Sequence, residues 1–217
     1  MQSENDYGLS QFLYENPGMS LVPTNDINIS IRGTYELYAK YNGGDELSDT
    51  YHLLIVLDKR FPRELPIVYE NDDKIQRTID NHKYDDGSLC LGSPLRLKHI
   101  LSENPNLAIF LNKCLDPFLY AHSYKNQYGK DFILGQLNHG SPGTIEDYLD
   151  LFNLSEKKQV SNALRLLGMR KRRANKHICP CGCGIRYGKC KYRFHLEKYR
   201  FAAKRLWFRE HLVSLNQ

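Results

Sequence analysis

The sequence predicts an α+β fold, on three observations. Apolar and polar residues alternate in the first third of the chain, and helical spacing takes over after residue 107. Near the C-terminus both give way to a compact run of cysteines and glycines. The expected architecture is an antiparallel strand meander with flanking helices over residues 1–155. A basic linker or helix follows over 156–176, then a small cysteine module with a terminal helix over 177–217.

The elements can be read in order. Leu9 to Tyr14 predicts a short helix, ended by the turn signal Asn16-Pro17-Gly18. Ile27, Ile29 and Ile31, then Tyr35, Leu37, Ala39 and Tyr41, alternate with polar residues and predict one strand or a bent pair. Asn42-Gly43-Gly44 breaks the run, and Tyr51 to Leu57 and Ile67 to Tyr69 predict two further strands. Leu107 to Tyr120 has helical spacing, with Pro117 expected to kink or end it. Ile145 to Phe152 predicts a helix with Thr144 as cap and Asp147 completing a capping-box-like start. Val160 to Met169 predicts a basic helix, and Glu197 to Val213 a terminal one.

The chain has 217 residues, of which 41% are hydrophobic and 25% charged. With 15 Tyr and 9 Phe, it can bury a real core rather than remain disordered. No run approaches the ~18 apolar residues of a membrane helix, and the start MQSENDYGLS lacks a signal-peptide layout. A cytoplasmic protein is expected, with its six cysteines as thiols or metal ligands. The net charge of +5 conceals a split. Residues 1–156 carry 13 Lys/Arg against 23 Asp/Glu, a net of −10, and residues 157–217 carry 17 against 2, a net of +15. Such asymmetry fits a basic tail for an acidic partner, or two domains that attract each other.

Cys179, Cys181, Cys183 and Cys190 lie within twelve residues, with His195 a little further on. Zn²⁺ takes four tetrahedral ligands from thiolates and imidazoles, and glycines let a tight knuckle turn neighbouring sulfurs toward one centre. An iron–sulfur cluster usually needs wider spacing. The run resembles the SEC-C zinc motif, whose first three ligands match Cys179, Cys181 and Cys190. That family places Cys or His directly after the third ligand, where this chain has Lys191. The fourth ligand is therefore either Cys183 or His195. No carboxylate stands near the cluster, so the expected site is structural.

A second informative stretch joins Phe61-Pro62, Leu65-Pro66-Ile67-Val68-Tyr69 and His82-Lys83-Tyr84-Asp85-Asp86-Gly87-Ser88-Leu89-Cys90-Leu91. A partly exposed thiolate can attack an activated carbonyl and leave again, and so carry an acyl chain. His82 and Lys83 favour a thiolate at Cys90, whereas Asp85 and Asp86 oppose it. Cys114 repeats with an apolar helical face and is expected to be a core thiol. A lone cysteine between leucines is also commonly a core residue, so Leu89-Cys90-Leu91 by itself decides nothing.

Over residues 8–152 the order of elements and the Gly-x-Leu-Cys-Leu run resemble a ubiquitin-conjugating enzyme, specifically the divergent prokaryotic members of bacterial defence operons. Gly135-Gln136-Leu137-Asn138-His139-Gly140 resembles the same subgroup. The resemblance implies a transferase that carries a protein C-terminus as a thioester on Cys90 and passes it to a lysine amine. It also implies activation by a separate enzyme and a role in antiphage defence. The implied cargo is a ubiquitin-like protein or a cyclic-nucleotide-making nucleotidyltransferase. The family's His-Pro-Asn triplet is absent, because His82 is followed by Lys83 and Tyr84 and the neighbouring Asn is Asn81. The oxyanion donor thus stays open among His82, Asn81 and a backbone N–H, with His139 a further candidate to line the site. The alternative function is a non-catalytic adaptor of the same fold that binds a partner tail, its basic zinc module holding nucleic acid.

Overall fold

The computed structural model describes residues 6–23, 27–41, 43–129 and 140–216, which form two compact units. The first comprises residues 1–92 and 100–136, the second residues 93–99 and 137–217.

In the first unit, helix α1 (Leu9–Glu15) leads into a four-stranded antiparallel sheet of β1 (Met19–Val22), β2 (Ile29–Ala39), β3 (Leu47–Leu57) and β4 (Ile67–Glu70). Strand order follows the chain, a plain meander. Ile31 stands opposite Leu21 on one side and Ile55 on the other, and Ile55 opposite Val68. Side chains in a strand point alternately to opposite faces, so the alternation puts Ile31, Tyr35, Leu37, Tyr51, Leu53, Ile55 and Val68 on one buried face. Helix α3 (Leu107–Tyr128) covers that face with Phe110, Leu111, Leu115 and Leu119. Asn106 caps it by accepting the Ile109 N–H at 3.0 Å.

Several expectations change here. Of the two readings for Ile27 to Tyr41 the single strand holds, but it runs only from Ile29 to Ala39, with Ile27 outside it and exposed. β1 is an additional strand, and helix α2 (Pro94–Glu103) fills a stretch to which the sequence assigned nothing. Pro117 does not end α3, which continues to Tyr128. One missing N–H costs a single ladder bond, while Leu119, Tyr120 and Tyr124 beyond it are all buried.

The second unit is helical among its described residues: α4 (Gly140–Phe152), α5 (Lys157–Leu167), α6 (Lys171–Ala174), α7 (Tyr192–Glu197) and α8 (Arg205–Ser214). Tyr148, Phe152, Val160, Leu164, Tyr187, Leu196, Tyr199 and Phe208 form one core. This moves the expected boundary. A cut at residue 155 would strip Tyr148 and Phe152 from their packing partners, so α4 belongs with the cysteine module. Of linker or helix over 156–176, the helix holds: α5 contributes to that core and opens with a capping box between Glu156 and Gln159. Thr144 is not a cap, because it sits inside α4 with its hydroxyl on the Gly140 carbonyl. Asp147 instead pairs with Arg96 at 2.7 Å. The single helix expected over 197–213 is broken near Ala202, and Tyr199 and Phe208 on either side both reach the core.

A polar chain pins α8. The Leu95 N–H donates to the Tyr148 hydroxyl (3.0 Å), which donates to His211 Nε2 (2.8 Å), and Trp207 stacks on the imidazole. Burial pushes His211 down to about 4, which keeps it neutral.

In the first unit the Tyr35 hydroxyl donates to the half-buried Asp116 carboxyl, which partial desolvation pushes up to about 6. A carboxyl raised on folding adds stability while neutral, and that stability is lost as pH rises through about 6. Asp116→Asn should therefore raise stability above pH 7 by on the order of 2 kcal/mol and give no gain near pH 4. Denaturant titrations at the two pH values check this, and an equal gain at both would contradict it.

Candidate functional sites: the Cys90 hairpin and a four-cysteine centre

Residues 82–90 form a small hairpin docked on β4. The Tyr84 N–H donates to the Ser88 carbonyl (2.9 Å), and the Cys90 N–H to the His82 carbonyl (2.7 Å). The Leu89 N–H reaches across to the Val68 carbonyl (2.8 Å), which fastens the hairpin to the sheet. Gly87 supplies the turn at φ +85°, a left-handed conformation that glycine adopts without strain. Asp86 closes the same turn by accepting from the Ser88 N–H and hydroxyl, bonds that hold its carboxyl below the usual range. Cys90 comes out half-buried at the end of this hairpin. Opposite it, His82 sits at φ +52°, an uncommon position for a non-glycine residue and of the kind found at functional sites.

Lys83 was expected to favour a thiolate at Cys90, and the structure corrects this. Its side chain is fully buried, with Nζ on Glu70 Oε2 (2.9 Å) and on the carbonyls of Glu70 (3.1 Å) and Ile75 (2.9 Å). The Glu70 carboxylate in turn accepts the N–H groups of Asp72 and Ile75. Removing either partner of such a buried pair costs about 3–5 kcal/mol, because the other charge is left uncompensated.

Asn81 ends a 3-10 turn, Ile79–Asn81, and its amide is already engaged. Nδ2 donates to the Gln76 carbonyl (3.4 Å), and Oδ1 accepts from Lys125 (3.4 Å). It lines a polar cleft of about 420 Å³ together with His122 and Lys125. The residue that sequence reasoning missed is Tyr84. Its phenol, 55% exposed, is held above its usual pKa by partial desolvation and by the neighbouring Cys90. The signal was the turn itself, which folds Tyr84 back beside the cysteine. His139 lies outside the described residues. Cys114 is buried in α3 with its thiol pushed up to about 12, as a core cysteine should be.

In the second unit the cysteines do converge. Ile178 bridges Arg186, the Cys179 N–H donates to the Ile185 carbonyl (2.9 Å), and the chain reverses through Gly182 and Gly184 at φ +84° and +76°. A 3-10 turn, Tyr187–Lys189, anchored by the buried Tyr187, then returns Cys190. The sulfurs of Cys179, Cys181, Cys183 and Cys190 all lie within 4.8 Å of one another. Cys181 is 3.3 Å from Cys179 and 3.7 Å from Cys190, and Cys183 is 3.6 Å from Cys190. A metal–sulfur bond of about 2.3 Å gives a tetrahedral edge of about 3.8 Å, so the set can hold a metal ion such as zinc. His195 is not among these ligands. Its Nε2 is 3.2 Å from the Leu151 carbonyl, and its ring packs between Tyr192 and Tyr199.

Neither a protein-family model, nor a curated protein, nor a solved structure matches this chain. No helix among the described residues is long and apolar enough to cross a membrane.

Purified protein should contain one zinc per chain. Cys183→Ser should weaken retention against a chelator at least about tenfold, whereas His195→Ala should keep the metal and lose only the bond to Leu151. Metal analysis and chelator competition test this. Zinc lost in His195→Ala but kept in Cys183→Ser would reverse the ligand assignment.

Proposed function

We propose that the first unit is a conjugating carrier and that Cys90 is its nucleophile. The observation that carries this reading is the order α1, four-stranded meander, cysteine hairpin, which leaves a half-buried thiol with a phenol donor beside it. The Cys90 thiolate attacks the activated C-terminal carbonyl of a protein cargo. A new S–C bond forms as the activating group departs, the result being a thioester. A lysine amine of the acceptor then attacks the same carbonyl, loses its proton and expels the thiolate. Tyr84 is the donor we assign to the oxygen on which charge gathers, the part that Asn plays in the resembled family. Cargo activation is left to a separate enzyme. A ubiquitin-like protein or a cyclic-nucleotide-making nucleotidyltransferase of bacterial antiphage defence fits as cargo, and the cytoplasm as location.

Zn²⁺ completes the reading of the second unit. Cys179, Cys181, Cys183 and Cys190 would close its shell with four thiolates, leaving no open position, which is the pattern of a structural site. Metal binding then contributes folding energy to the knuckle.

One observation favours the adaptor reading. Lys83 is spent on Glu70 and Asn81 on Gln76 and Lys125, so neither serves the thiol. Trapping separates the two. Cys90→Lys, expressed in cells that naturally contain the cargo, should accumulate a stable amide adduct whose mass identifies the protein attached. A wild-type chain that never carries a thiol-labile adduct, together with an unmodified Cys90→Lys chain, would leave the adaptor reading.

A further inference from the structure

The second unit bears a surface that its zinc knuckle does not require. Residues 157–217 carry 17 Lys/Arg against Glu197 and Glu210, a net of +15. Four thiolates around Zn²⁺ would lower this by only two. Glu197 is already paired with Lys171 (3.1 Å) and Arg200 (3.1 Å). Such an excess costs stability through self-repulsion unless an anion relieves it.

Part of this charge gathers at one cleft. A cleft of about 410 Å³ has Met169 and Ala203 in its lining and is surrounded by Arg170, Lys171, Arg200 and Arg205. Arg200 is fixed before any ligand arrives, because its guanidinium donates to the carbonyls of Leu166, Leu167 and Met169, all at 2.9 Å. Arg170 and Arg205 stand exposed at the rim. Directly after Arg200 comes Phe201, 86% exposed, and Phe194 is 69% exposed with the Arg193 guanidinium 4.6 Å above its ring. Neither ring contributes to the core.

We propose that this face binds single-stranded nucleic acid, with backbone phosphates at the arginine rim of the cleft and a base stacked on Phe201. Cations for the backbone, here the exposed Arg170 and Arg205, and an exposed ring for the bases are the two parts such binding needs. An acidic peptide without aromatic residues would satisfy the cations and leave the exposed Phe201 uncovered. This inference is independent of the chemistry at Cys90.

The test uses the full, zinc-loaded chain and a fluorescein-labelled oligo-dT of about 20 nucleotides, with anisotropy read across about 50–200 mM salt. Affinity should fall with salt, with a log–log slope of about −0.7 per phosphate contacted. Arg170→Glu with Arg205→Glu should weaken binding at least about tenfold and flatten that slope. Phe201→Ala should weaken it roughly tenfold and leave the slope unchanged. Trp207 fluorescence and zinc content report whether each variant is folded, and the salt slope of the unmutated chain needs no variant. Any of three results would overturn the proposal: no saturable binding at the lowest salt, no effect of the folded double variant, or phosphatidylserine vesicles bound while the oligonucleotide is not. If Phe201→Ala has no effect and polyglutamate competes equally, the face is a general polyanion surface and the proposal also fails.

Discussion

The geometry around Cys90 depends on one buried ion pair. Lys83 sits at the base of the hairpin with no side-chain exposure, and its ammonium gathers the Glu70 carboxylate and two backbone carbonyls. A lysine this deep is tolerable only because every proton finds an acceptor. In return it ties the end of β4, the loop that follows and the first strand of the hairpin to one point. The hairpin's own bonds then carry that order across to Cys90, through the Leu89 N–H on Val68 and the Cys90 N–H on His82. Cys90 is thereby presented by rigid backbone rather than by a free loop, which suits a group that must meet two macromolecules in turn.

The second unit applies the same logic with different chemistry. Its knuckle is too short to have a core of its own, so Tyr187 and Cys179 lean into one shared with α4, α5 and α8. Sulfur placement follows from that support. Tyr199 donates to the Leu151 carbonyl at 2.6 Å, and His195 approaches the same oxygen at 3.2 Å. The histidine is therefore a bracket between helices, and Cys183, carried on glycine turns, is the residue free to complete the cluster.

Much of this was legible in the sequence. The alternation of Ile31, Tyr35 and Leu37 fixed a face, and cysteine spacing alone marked the knuckle. Other features left weaker signals. β1 has four residues, of which only Met19 is buried, too few for a period. Pro117 looked like a stop because propensity is local, whereas the burial that carries α3 past it is not. Lys83 read as a cation for its neighbour Cys90, since nothing in a sequence distinguishes a lysine that will find Glu70 thirteen residues back. Tyr84 had no assigned role in the sequence, because only the folded hairpin brings it near the thiol. The module boundary was drawn where charge changes sign, but packing, not charge, assigns α4 to its unit.

The central claim is that the clamped hairpin offers Cys90 as an accessible nucleophile while Cys114 remains core. Competitive alkylation measures this directly, with brief iodoacetamide treatment of the zinc-loaded protein at neutral pH and mass mapping of both residues. The account predicts Cys90 modified first and Cys114 only after unfolding, in keeping with a thiol that burial has pushed up to about 12. Cys114 labelled first, or Cys90 labelled only in denaturant, would contradict it.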